Sequence, residues 1–229
     1  VIKAIYSKFG IFFLVLNLTW ISGQNFEKLS KEICESISEK DSISQQKLFD
    51  EFSKYYDFEN KEKELLISDF NPFSFKLQRE LIKNCPNLNY LDSYFLLPLS
   101  NIADIEQIFN REQLANLEKQ LKNIQYKNRL QIFVVTTKDY FPQTNIDDFS
   151  YSVLNNNYSD FFEKGAIIFA VNIKERNIRI STNSIAMKNL SDEFCQDILD
   201  KIIIPAFKKG KYYEGIEKAI KEIETKTKL

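Results

Sequence analysis

Histidine is absent from all 229 residues. That removes the Ser-His-Asp and Cys-His nucleophile pairs, His-ligated zinc and the imidazole general base. Acid–base work in this chain falls to carboxylates, lysine or tyrosine. Glycine is also scarce, five in all, and no run of glycines forms a P-loop or another anion cradle. Phosphoryl transfer would need positioned cations, metal or Arg/Lys, to stabilise the transferred group. The densest group of oxygen-bearing side chains surrounds one apolar stretch. Asp160 and Glu163 precede it, Asn183 follows its return strand, and Asp192 comes shortly after. Asn155, Asn156 and Asn157 add amide oxygens just upstream. Of the three cysteines, Cys195 has no histidine or neighbouring cysteine to activate it, and it reads as a small core residue.

Those positions depend on the elements that carry them. GAIIFAVN, from Gly165 to Asn172, is apolar throughout, as expected of a strand covered on both faces. NIRIST, from Asn177 to Thr182, alternates apolar and polar after a short polar link, so the two form an antiparallel hairpin. A hairpin returns its second strand to where its first began. Asp160, Glu163, Asn183 and the helix start at Asp192 therefore converge on one sheet edge. Ser191 or Asp192 caps that helix, whose predicted inward stripe is Phe194, Ile198, Ile202 and Phe207, with Pro205 near its end. Upstream, Asn110 with Gln113 makes a capping box, followed by the stripe Leu114, Leu117, Leu121 and Ile124. LQIFVVTT (Leu130 to Thr137) is a β-branched strand, and a helix follows from about Ile146 to Asn156. The crossover from that strand to the Gly165 strand is a βαβ unit, parallel and right-handed. A last helix, Tyr212 to Thr225, packs Ile216, Ile220 and Ile223. The sum is an α/β/α sandwich with a small mixed sheet of at least three strands: a βαβ unit plus an antiparallel hairpin, preceded by a small helical region.

Residues 1–24 read as a signal peptide. Lys3 and Lys8 form a basic n-region, Gly10 to Ile21 an h-region, and Ser22-Gly23 small residues for cleavage. An uncleaved segment would be an anchor, and it is the chain's one expected membrane contact. Export to the periplasm or medium follows. Residues 25–90 read as helical and charged. The stripe Phe26, Leu29, Ile33, Ile37 marks one helix, Gln45 to Tyr56 a second, and Phe75 to Lys83 a third after the Asn71-Pro72 break. Cys34 and Cys85 fall in the first and last of these. In an exported protein they can form a disulfide; the alternative is two buried thiols. Basic and acidic residues number 31 and 32, so no cationic stripe argues for nucleic acid.

The later chain resembles a family. An aspartate before the first helix, a VV-type strand, a Gly-led strand, an R-I strand, Asp192 and then IIPAFKKGKYYEG look like the TPM domain over about residues 96–225. That family is known from thylakoid-lumen, photosystem-assembly and receptor-modulating proteins and from exported bacterial ones. The resemblance implies the same α/β fold, assigned here to residues 91–229, and two activities: calcium binding and an acid-phosphatase-like hydrolysis. Carried over by position, Asp104 matches the aspartate ahead of the first helix, and Asp192 matches. Glu163-Lys164-Gly165 stands where Asp-Asn-Gly is usual. Asn183-Ser184-Ile185 replaces a Gly-x-Gly turn, Met187 falls where an acid often follows, and Lys211 replaces an aspartate. The implied metal set is Asp104, Glu163 and Asp192, with Asp160 and Asn183 beside it. Calcium wants six to eight oxygens, and so thinned a set supports a weak site at best.

Two functions are consistent with these residues. One is a non-enzymatic binding or assembly module of the cell envelope, with a protein or envelope partner and a degenerate acidic site. The other is a calcium-dependent, phosphatase-like hydrolase using Asp104, Glu163 and Asp192. Structurally, Asp192 can equally be a helix-terminal residue, Glu163 a solvated loop charge and Asp104 a turn former.

Overall fold

The computed structural model describes residues 25–36, 76–77, 79–81, 83–85, 101–140 and 143–228. Helix α1 is Phe26–Ser36; strand β1 is Ile102–Asp104; α2 is Arg111–Asn128; β2 is Gln131–Thr136; α3 is Ile146–Asn157. Strand β3 is Ala166–Asn172, β4 is Asn177–Thr182, α4 is Asp192–Ile198 and α5 is Tyr212–Thr227. The four strands lie in the order β1-β2-β3-β4. The first two pairings are parallel and the last antiparallel. Strand β1 is an addition to the expected sheet. It spans three residues, pairing Ile102 with Val134 and Asp104 with Thr136.

Both faces of the sheet are covered, which is why β2 and β3 are buried along their whole length. On one face Ile132, Val134, Phe169 and Val171 meet the stripe Leu114, Leu117, Leu121, Ile124 of α2 and Ile216, Ile220, Ile223 of α5. On the other, Phe133, Val135, Ile168 and Ala170 meet Phe149, Val153 and Leu154 of α3. The expected capping box is present, with the Asn110 side chain accepting from the Gln113 N–H and Gln113 accepting from that of Asn110.

The two crossovers differ in hand. The sheet steps the same way from β1 to β2 and from β2 to β3, yet α2 and α3 lie on opposite faces. The stereochemistry of an L-residue says which is which. On a strand running upward, seen from the side its side chain faces, the N–H points right. The N–H of Val134 bonds Asn101 O, on the β1 side, while the Val134 side chain faces α2. Seen from α2, β1 therefore lies to the right of β2, and the β1–α2–β2 return is left-handed. The β2–α3–β3 return is right-handed, the common case.

The helix after Ser191 does not keep its expected phase. Its α-helical part ends at Ile198, a π turn occupies Leu199–Ile203, and a short α-helical end runs Ile204–Phe207. Pro205 has no N–H for the ladder, and the Ile204 N–H reaches back five residues to Leu199 O. The extra residue rotates the remainder of the helix. The buried positions are Cys195, Ile198 and Ile203. Phe194, Ile202 and Phe207, the expected inward stripe beside Ile198, are only partly buried against the core.

In the N-terminal region, α1 buries Leu29 and Ile33, and a helical stretch within 76–84 buries Leu77 and Leu81. Cys34 and Cys85 are joined as a disulfide, with Cα atoms 5.6 Å apart. Asn84 Nδ2 donates to Ser30 Oγ at 2.9 Å. Arg79 ion-pairs with Asp139, just beyond β2, which ties these helices to the sheet. The expected signal segment and the expected second helix lie outside the described residues. No helix among the described residues is long and apolar enough to cross a membrane.

Candidate functional site

The carboxylates singled out in the sequence divide between the two ends of the sheet. Asp104 ends β1, level with Thr136 at the end of β2, which is level with Val171 near the end of β3. Only 3% of Asp104 is exposed. Its Oδ1 accepts from Thr136 Oγ1 at 2.7 Å and from the Ile108 N–H at 3.2 Å, and its Oδ2 accepts from the Phe109 N–H at 2.9 Å. Thr136 Oγ1 in turn accepts from the Glu106 N–H at 2.9 Å. Glu106 Oε2 accepts from the Ile173 N–H at 2.7 Å. Two carboxylates and one hydroxyl thus fold the loop between β1 and α2 over the ends of the parallel strands. Gln107 takes a left-handed φ of 57° in that loop. Burial raises the Asp104 pKa above its usual 3.8, opposed by the bonds from Thr136, Phe109, Ile108 and Gln107.

The other end of the sheet gathers the remaining candidates. Gly165 opens β3 with φ of 80°. A Cβ there would lie 2.3 Å from Asn183 Oδ1 and 2.6 Å from the Ala186 nitrogen, so only glycine fits. Asn183 Oδ1 accepts from the Ala166 N–H at 3.1 Å and the Ala186 N–H at 2.9 Å. It stitches β3 to the turn after β4, the position where the family pattern has Gly-x-Gly. Glu163 is exposed and lies 3.9 Å from the Arg129 guanidinium, which stacks over the Phe161 ring at 4.4 Å. Asp160 is exposed in the same loop. The α4 start is also here. Lys164 Nζ donates to Thr227 O at the end of α5, and Lys226 sits over the ring of Phe194 at 5.7 Å. Ser191, not Asp192, caps α4, accepting from the Phe194 N–H at 3.3 Å. Asp192 is an exposed first-turn residue.

Asp160, Glu163, Asn183 and Asp192 therefore share one end, as the hairpin argument requires. Asp104 does not join them. Six residues of β3 separate the level of Gly165 from that of Val171, about 20 Å of strand. Asp104, Glu163 and Asp192 cannot enter one coordination sphere. Lys211 opens α5, whose other end meets Lys164, so it too lies far from Met187. At the shared end the Asn183 oxygen is taken by two amides and Glu163 faces a cation. Among the described residues no three Asp, Glu or Cys side chains group to hold a metal. The three carboxylates that the family resemblance implies for calcium therefore do not form one site.

A sequence profile of the TPM domain matches residues 102–226, more than half of the chain. The chain belongs to the TPM-domain family. No curated protein matches it. Two structures solved by NMR are similar to this chain. One is the N-terminal domain of a protein from P. gingivalis, with TM-score 0.47 and 19% identity, covering 63% of this chain and 88% of that one. The other is the N-terminal domain of a Corynebacterium glutamicum protein, with TM-score 0.45 and 14% identity, covering 56% and 80%.

Within this TPM domain, sequence reasoning missed three residues that decide what the candidate acids do. Thr136 holds Asp104, Glu106 closes the loop onto β3, and Arg129 faces Glu163. The polar pair Thr136-Thr137 following the apolar run Ile132 to Val135 was the visible signal for the first. Neither of the others carries one.

Proposed function

We propose that this TPM-domain protein is exported and acts as a non-enzymatic binding or assembly module of the cell envelope. One observation carries the reading: Asp104 is separated by the length of the sheet from Glu163 and Asp192, and each of its oxygens is already engaged. A buried carboxylate that organises a loop is a structural group, and its removal acts through folding. The disulfide between Cys34 and Cys85 is compatible with an oxidising compartment. Calcium, on this reading, binds at the Glu163 end in the millimolar class of extracellular modules or more weakly.

The test pairs hydrolysis with calorimetry. The protein is expected to leave p-nitrophenyl phosphate unhydrolysed above the buffer rate, with calcium or magnesium present. Calcium titration is expected to show no micromolar binding. Micromolar affinity abolished by Glu163→Gln or Asp192→Asn would overturn the metal-poor reading. Turnover that disappears in a folded Asp104→Asn variant would establish the hydrolase instead.

A further inference from the structure

We infer that two copies of this chain pair edge to edge through β4, as antiparallel neighbours about a two-fold axis at Ile180. Strand β4 is an outer strand of the sheet. Its register with β3 and the bond from the Asn183 N–H to Ala166 O fix which backbone groups are used. Asn177, Arg179 and Ser181 turn their N–H and C=O toward β3. By alternation, Ile178, Ile180 and Thr182 turn theirs outward. Among the described residues nothing pairs with that outward row. An edge of six residues with no proline and no bulge, unpaired among the described residues, is a template for another strand.

What the edge carries points to a second copy as the occupant. Pairing about Ile180 sets Ile180 against itself, Ile178 against Thr182, and Arg179 against Ser181. No like charges stand directly opposite. Arg179 Nε is 3.1 Å from Asp147 Oδ1 of α3, with both side chains about half exposed. Across the axis this gives two arginines and two aspartates, which can exchange partners and complement each other's charge. Tyr151 lies one helical turn beyond Asp147 on the same stripe of α3 and is 65% exposed. It flanks the open edge beside Ser150, whose hydroxyl meets that of Ser181, and this register sets Ser181 against the partner's Arg179. An arbitrary extended peptide offers neither match.

This inference stands apart from the functional reading above, which a monomer would leave in place. Sedimentation velocity of the full chain, from micromolar to near-millimolar concentration, should show reversible dimerisation. Thr182→Pro removes one outward N–H and leaves the bonds to β3, as proline is tolerated on an edge. It should weaken the dimer about tenfold or more. Thr182→Val keeps the N–H and should dimerise normally. Tyr151→Lys, at an exposed site that does not threaten folding, should weaken the dimer comparably while circular dichroism and melting temperature stay unchanged. A monomer throughout that range overturns the inference. So does a dimer that both Thr182→Pro and Tyr151→Lys leave intact.

Discussion

Asp104 shows how one buried carboxylate can serve a loop and still burden the fold. Its pKa is raised, so the folded protein holds this proton more tightly than the unfolded chain. The stability contribution is fully present below the ordinary value of 3.8 and is lost as pH rises through the raised value in the folded state. Urea melts across mildly acidic pH should show that downward slope, and Asp104→Asn should lack it. At neutral pH the same variant is expected to lose about 1–3 kcal/mol, because an amide NH2 meets a donor where an oxygen stood. An Asp104→Asn variant as stable as the parent at pH 7 would refute the loop-organising role. Gly165 is the second residue whose change has a clear outcome. Gly165→Ala should cost more than the roughly 1–2 kcal/mol of left-handed backbone alone, since the new Cβ meets Asn183 and Ala186. A loss of a few tenths in denaturant melts would mean that the turn after β4 moves freely.

At the scale of elements, the π turn makes a prediction that helical periodicity gets wrong. Ile203 is fully buried and Ile202 is not. Ile203→Ala should cost about 2–5 kcal/mol by opening a cavity, and Ile202→Ala clearly less. The reverse order of the two midpoints would restore the uninterrupted helix. The difference also explains what could be read in advance. Strands β2, β3 and β4, helices α2, α3 and α5, and the Asn110 cap follow from period and capping, because each has enough residues to show its pattern. β1 has three residues, too few for alternation to register. The π turn shifts phase only after Pro205 is placed against a ladder, and a fixed 3.6-residue period cannot express that. At the candidate site, the grouping of Glu163, Asn183 and Asp192 followed from hairpin topology. The position of Asp104 did not, because it hangs on the unseen strand.

Across the whole molecule, the disulfide is the covalent tie between α1 and the 76–84 helical stretch. Closing a separation of 51 residues stabilises by about 4 kcal/mol through the entropy of the unfolded chain. Reduction should lower the melting temperature, and a Cys34→Ser, Cys85→Ser double variant should match the reduced protein. Cys195 should be a spectator. It is buried, and its thiol is pushed up to about 11, first by burial and then by Asp192. Ellman's reagent should find no reactive thiol in the native oxidised protein and one after unfolding. A rapidly reacting thiol in the native state would contradict the packing of α4.

The opposed hands of the two crossovers bear on the order in which the chain assembles. From β2 through α3 to β4 the path is right-handed, pairs all of β2 with β3 and closes with a hairpin, so each step adds many contacts at once. β1 must be carried round the other way, over an eighteen-residue helix, to add three residues at an edge. Its pairing returns little free energy until α2 is already packed. In kinetic terms β1 is expected to dock after the rate-limiting barrier. Ile168→Val should slow refolding, with a φ-value near the middle of the range, whereas Ile102→Val should leave refolding unchanged and speed only unfolding. The loop that Asp104 holds would then be the last part of the sheet to close and the first to open, a place where this domain breathes without unfolding.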